Sequence, residues 1–171
     1  MEFKTFIFNP FQENTYILWD ETNECIIIDA GNYLPNEDTE LSNFIDNHNL
    51  KPVLLINTHN HLDHIFGSYY LTKKYHIEIA CHPDGIFLIP QYKQTAQMYG
   101  LNVANNAPEP QKMLNHNNTV TFGNTTIKVL HVPGHSPGCI ALYNEQHNIL
   151  FSGDILFNNS IDRSDLPGGN H

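Results

Sequence analysis

The sequence predicts an α/β fold, on three observations. Short runs rich in β-branched and aromatic residues recur along the chain, segments with apolar residues at helical spacing fall between several of them, and Gly-, Pro-, Asn- and Asp-containing turns separate the two kinds. The middle of the chain reads strand, helix, strand, helix, strand, the rhythm of layered α/β proteins.

The elements follow in order. "FKTFIF", "NTYILW" and "ECIIID" read as strands, parted by the turns "NPFQEN" and "DETN". After the loop "DAGNYLPN", the segment "EDTELSNFIDNHN" places Leu41, Phe44 and Ile45 at helical spacing, with acids in the first turn. "VLLIN" reads as a buried strand, "HIFGSYYLTKKYH" as a helix and "IEIA" as a strand. "IFLIPQYKQTAQMYGL" is expected to be helical, begun or interrupted near Pro90, and "NVANNAPEPQKMLNHNN" to be a long polar loop suited to moving over a site. Strands resume at "TVTF", "TIKVLHV", "CIALYN" and "NILFSGD"; the remainder, "ILFNNSIDRSDLPGGNH", reads as loop.

Bulk composition narrows the class. The 171 residues, 40% hydrophobic and 15% charged, suit one soluble globular domain spanning 1–171. The formal net charge is -10, with only 8 Lys and Arg and no cluster of them, so no nucleic-acid partner is expected. The N-terminal "MEFKTFIFNP" lacks the parts of a signal peptide, and no run approaches the ~20 apolar residues of a membrane span; no membrane partner and a cytoplasmic location are expected. Cys25, Cys81 and Cys139 are far apart, form no CxxC pair, and read as buried free thiols.

The run "THNHLDH", Thr58 to His64, leaves a buried strand and presents three imidazoles and a carboxylate in seven residues. His59 and His61, two apart on extended chain, can face one cation; Asp63 and His64 follow where the chain turns toward a helix and can face a second position close by. Neutral imidazole and carboxylate suit a borderline dication such as Zn²⁺. A solvated polar loop is the competing reading, but it leaves two later sites unexplained. "VPGHSPG" holds His135 between two Pro-Gly turns, and "LFSGD" ends a strand at Asp154. Three strand ends carrying such groups would meet at one sheet edge, where α/β folds place their sites.

HxHxDH, PGHSPG and SGD, in this order, resemble the metallo-β-lactamase superfamily. "PFQENTYIL", "IIIDAG" and "SGDILFNNSIDRSDLPGG" extend the likeness to its glyoxalase II-like hydrolases. The resemblance implies an αββα sandwich with a dinuclear centre: His59, His61 and His135 on the first metal, Asp63 and His64 on the second, Asp154 bridging, and Asp29 orienting the histidine loop. The metals implied are two Zn²⁺ per complete domain, with Fe or Mn as alternatives. Two departures stand out. Asp162-Arg163 occupies a place where Gly-Arg is usual. A last histidine ligand and the rest of the second layer are expected further downstream, so the chain is expected to be the N-terminal part of a longer domain; His171 is not expected to substitute.

The resemblance also implies the chemistry. A dinuclear centre generates a metal-bound hydroxide near neutral pH, which attacks an acyl carbon directly, with Asp63 holding its proton. The expected activity is a thioesterase acting on a small-molecule S-acyl thiol such as a 2-hydroxyacyl glutathione. The alternative within the fold is a persulfide dioxygenase using one iron on His59, His135 and Asp154; a nuclease and a metal-free relative rank lower. Of the remaining histidines, His131 either faces the site or packs in the core, His82 is expected in a turn, and His48, His76, His116 and His147 are expected to be exposed. The sequence leaves the oligomeric state open.

Overall fold

The computed structural model describes residues 1–157 and 160–161, and its strands fall where the β-branched runs do. Strands β1 (Glu2–Phe8), β2 (Glu13–Trp19), β3 (Glu24–Ile28), β4 (Lys51–Ile56), β5 (Glu78–Cys81) and β6 (Lys112–Met113) form one sheet in that order. Pairing is antiparallel from β1 to β3 and parallel from β3 to β6. Strands β7 (Thr119–Phe122), β8 (Thr125–His131), β9 (Ile140–Asn144) and β10 (Ile149–Phe151) form a second, antiparallel sheet in the order β10-β9-β8-β7. A two-stranded ladder of β11 (Leu156–Phe157) and β12 (Ser160–Ile161) follows, inside a segment expected to be loop.

The period of two in a strand decides the layering. Ile26 and Ile28 of β3, Leu54 and Ile56 of β4 and Leu18 of β2 face Phe122, Ile127, Val129, Ile140 and Leu142 of the second sheet. The intervening Ile17, Cys25, Ile27 and Leu55 face the opposite way, onto Leu41 and Ile45 of α1 (Pro35–Asn47) and Leu71 of α2 (Ser68–Tyr75). Because both faces of β3 are covered, its sequence runs continuously apolar instead of alternating. Each such buried aliphatic side chain contributes about 1.5–3 kcal/mol of transfer free energy.

The helices start and stop for local reasons. Pro35 sits in the first turn of α1, where its missing N–H costs nothing, and Glu37 and Asp38 meet the positive end of the helix dipole. The helix expected from His64 begins only at Ser68, because Leu62–His64 forms a 3₁₀ turn first; α2 then ends at His76, which takes φ 55°. Pro90 lies in a 3₁₀ segment, Pro83–Gln91, and α3 (Tyr92–Met98) starts just after it. The expected loop over 102–118 is partly ordered into the sheet, since Lys112–Met113 pairs with Ala80–Cys81 as β6.

Helix, sheet and sheet are therefore three of the four layers of the expected sandwich. Among the described residues, no helix belongs to the cluster that joins the two sheets or covers the outer face of the second, where Thr126, Lys128 and Tyr143 line an open depression. No helix of the described residues is long and apolar enough to cross a membrane. Residues 158–159 and 162–171, with Asp162, Arg163 and His171, lie outside the described residues.

The two sheets are tied at the end where β2 finishes and β7 turns into β8. Asp20 is buried there. Its Oδ1 accepts from Thr22 N at 3.0 Å and Thr22 Oγ1 at 2.6 Å, and its Oδ2 from Asn124 N at 2.7 Å and Thr125 Oγ1 at 2.9 Å. Burial alone would favour the neutral acid, but these donors outweigh it and hold the pKa at about 2.

Candidate metal centre

Strands β3, β4, β8 and β10 all end at the other end of the sandwich, and each delivers a polar side chain there. β3 runs into Asp29, whose φ of 55° turns the chain back while its N–H continues the parallel ladder to Ile56 O at 2.9 Å. β4 runs into Asn57, Thr58 and His59. Ile140 N donates to Thr58 O at 2.9 Å, which fixes the histidine loop against the second sheet. Asn9, in the β1–β2 turn, donates from Nδ2 to Asp63 O at 3.0 Å and to Gly31 O at 2.9 Å, so the first hairpin clamps the loop from its other side.

The sequence-predicted residues meet here. One ligating atom of each of His59, His61 and His135 lies within 4.8 Å of the others, and His61 Nδ1 is 2.8 Å from His135 Nε2. Their rings stand at 77–86° to one another with centroids 4.5–4.9 Å apart, so in-plane lone pairs from three directions can meet at one point. His59, His64 and Asp154 form a second close group. His64 Nε2 lies 3.3 Å from Asp154 Oδ2 and 3.6 Å from Asp63 Oδ2. Asp63 thus borders the second group without joining it. The set His59, His135 and Asp154 is not one of the close groups among the described residues.

Asp29 acts behind these groups. Its Oδ1 accepts from Thr58 N and its Oδ2 from Thr58 Oγ1, both at 2.7 Å, and Oδ2 lies 3.0 Å from His64 Nδ1. Thr58 Oγ1 is in turn 3.2 Å from His59 Nδ1. With Thr58 O–H committed to Asp29, His59 Nδ1–H donates to Thr58 and leaves Nε2 as a bare lone pair. His59 Nε2 and His64 Nε2 are buried and have no hydrogen-bond partner. Buried polar atoms of this kind are costly unless something satisfies them, and imidazole nitrogen beside carboxylate oxygen is the donor set a divalent cation takes. The residues present fit such ions.

Electrostatics separates the two groups. Burial, with His64, His61 and His135 beside it, holds His59 well below the ordinary imidazole range, and burial with His135 and His64 brings His61 down to about 3. Both are neutral near pH 7, the form that binds metal. His64 differs. Burial pushes it down, but Asp29, Asp63 and Asp154 around it raise it well above its usual value. Burial raises Asp63, whereas Asp154, despite burial, is lowered by His64, His135 and His61.

Residues 8–171 match the profile of the Metallo-beta-lactamase superfamily. The chain belongs to that superfamily. Metal-dependent hydrolases that use divalent ions are among its members. Within it, this metallo-β-lactamase-fold chain is 31% identical over 164 residues to hydroxyacylglutathione hydrolase GloC of Haemophilus influenzae, covering 94% of this chain and 74% of the relative. Two solved structures superpose with 31% identity. BLEG-1 B3 metallo-beta-lactamase gives a TM-score of 0.87 over 99% of this chain and 80% of that one. TTHA1623 in a di-iron-bound form gives 0.85 over 98% and 79%.

A third close group, His82, Asp84 and His131, behaves differently. The two rings stack at 3.7 Å with planes 12° apart, so their lone pairs run parallel and do not converge. His131 lies near Pro137 O, with its Nε2 at 2.8 Å, and His82 Nδ1 accepts from Asp84 N at the start of the 3₁₀ segment. His131 is therefore a packed histidine and His82 a turn residue. His48, His76, His116 and His147 are exposed, and all three cysteines are buried and free.

One residue escaped the sequence reading. Glu13, at the start of β2, is 5% exposed; its Oε2 accepts from Thr15 Oγ1 at 2.9 Å and its Oε1 lies 3.8 Å from His64 Nδ1 without a hydrogen bond. Burial raises its pKa well above the carboxylate range. Gly31 passes directly over this carboxylate, where any Cβ would collide with it. The only sequence hint was the acid inside "PFQENTYIL", a position that reads as a solvated turn.

Proposed function

We propose that the chain is a zinc-dependent thioesterase that hydrolyses a small S-acyl thiol, such as a 2-hydroxyacyl glutathione, to a carboxylate and a free thiol. The observation that supports this most is the convergence of two ligating groups, His59/His61/His135 and His64/Asp154, on the ends of separate strands, with Asp63 beside the second. The likeness to a hydroxyacylglutathione hydrolase supports the choice of a thioester.

His59, His61 and His135, and His64 with Asp154, would hold the divalent cations, which would supply a lowered water pKa and polarisation of an acyl oxygen. The chain's own residues do the rest. Asp29 and Thr58 hold the His59 and His64 rings in fixed tautomers. Asp63, whose Oδ2 lies 3.6 Å from His64 Nε2 at the edge of the second group, is the group to take the proton of the attacking water at its Oδ atoms. The water oxygen bonds to the acyl carbon, the C–S bond breaks, and the thiolate leaves with its electron pair. No protein thiol competes as nucleophile: burial pushes Cys25 and Cys139 up to about 12 and raises Cys81.

The test is thiol release from S-lactoylglutathione by the Zn²⁺-loaded protein, with a β-lactam assayed in parallel. The reading expects metal-dependent thiol release that Asp63→Asn abolishes. Stoichiometric metal without turnover of any acyl thioester would overturn it.

A further inference from the structure

A cavity beside the centre is lined by none of the histidines or carboxylates of the two close groups. It measures about 230 Å³, and its walls include Tyr33, Phe66, Tyr69, Tyr70, Tyr92 and Asp38. The rings stand at angles to one another: Tyr33 and Phe66 are 4.7 Å apart at 46°, and Phe66 and Tyr92 are 6.3 Å apart at 66°.

Asp38 is the single charged residue in this wall, and among the described residues no ion pair engages it. Its Oδ1 accepts only from Asn32 Nδ2. The adjacent Glu37 is fully used by the backbone N–H groups of Asn9, Tyr33 and Leu34. Two lysines approach from outside and are otherwise engaged: Lys93 Nζ donates to Ala104 O at 3.0 Å, and Lys73 Nζ lies 5.8 Å from the Tyr69 ring. Burial raises the Asp38 pKa. A smaller cavity of about 40 Å³ shares Ile65 and Tyr92 with this one and reaches His61.

Aromatic rings and a carboxylate whose one side-chain partner among the described residues is the neutral Asn32 share one chemistry around this cavity, attraction for a positive charge. We infer that this cavity binds an organic cation, a primary or methylated ammonium group, held over the tyrosine and phenylalanine faces and countered by Asp38. The inference stands apart from the thioesterase reading, because it concerns a cavity and a charge and not the reaction.

The experiment is an NMR titration of the zinc-loaded protein with choline and, separately, with 3,3-dimethyl-1-butanol, its neutral counterpart of the same shape. Choline is expected to bind about tenfold more tightly, with shifts at Phe66, Tyr69 and the 102–107 segment. Asp38→Asn is expected to remove most of that preference without changing zinc content. Tyr69→Leu, at the exposed rim where folding is not at stake, is expected to weaken choline more than the alcohol. Equal affinities, undiminished choline binding in Asp38→Asn, shifts confined to another surface, or no choline binding at all would each overturn the inference.

Discussion

The two ends of the sandwich bury the same kinds of group and treat them oppositely. At the end marked by the β7–β8 turn, Asp20 has both oxygens occupied by protein donors. At the end where β3, β4, β8 and β10 finish, His59 Nε2, His64 Nε2 and Glu13 Oε1 are buried without a hydrogen bond. A satisfied buried carboxylate adds stability; an unsatisfied cluster costs it. The difference teaches where the chain has put structure and where it has put chemistry. One end is a tie between sheets, and the other is a donor set suited to cations.

The largest expected effect comes from taking a donor out of the second kind of end. His61→Ala should lower zinc content and reduce thioester turnover by more than about 100-fold, beyond what supporting residues cost when lost. Elemental analysis and thiol release measure both; unchanged metal and rate would remove the distinction between the ends. Asp29→Asn should weaken metal affinity by about 10–100-fold while leaving the ligands in place, because it loosens both Thr58 and His64. Competition against a chelator reads this.

Asp20→Asn probes the other end and should move stability without touching metal. The pKa of Asp20 is about 2 in the folded chain against the ordinary 3.8. A depressed carboxylate pKa contributes stability above the unfolded value, and that stability is lost as pH falls through the folded one. The contribution is about 2 kcal/mol. Urea denaturation at pH 7 should show that loss in Asp20→Asn, and the gap to the native chain should close between pH 3.8 and about 2. A gap that persists at the acid end would mean the donors around Asp20 act independently of its charge. The smallest effect is expected from Glu13→Gln, about tenfold or less in metal affinity, since Asp29 already lies closer to His64 Nδ1.

The asymmetry was only partly legible beforehand. His59, His61, Asp63 and His64 announce themselves because spacing within seven residues is a local property, and His135 and Asp154 because strand ends are. The close approach of His135 to His61 needed the order of both sheets. Glu13 could not be read, since its burial depends on Gly31 arriving from a distant loop. β6 was missed because two exposed residues carry no alternation. His131 could be left only as a choice between two readings, since the ring it stacks on, His82, comes from another sheet. The Asp38 cavity gathers its walls from several separate segments, and no window of sequence contains it.

The central claim is that His59, His61 and His135 together hold a divalent cation. Anomalous diffraction at the zinc edge from crystals of the zinc-loaded protein tests it directly. The account predicts a strong peak enclosed by those three rings and a second beside His64 and Asp154. A well-ordered site with no peak there, or a peak bound only by His82, Asp84 and His131, would contradict it.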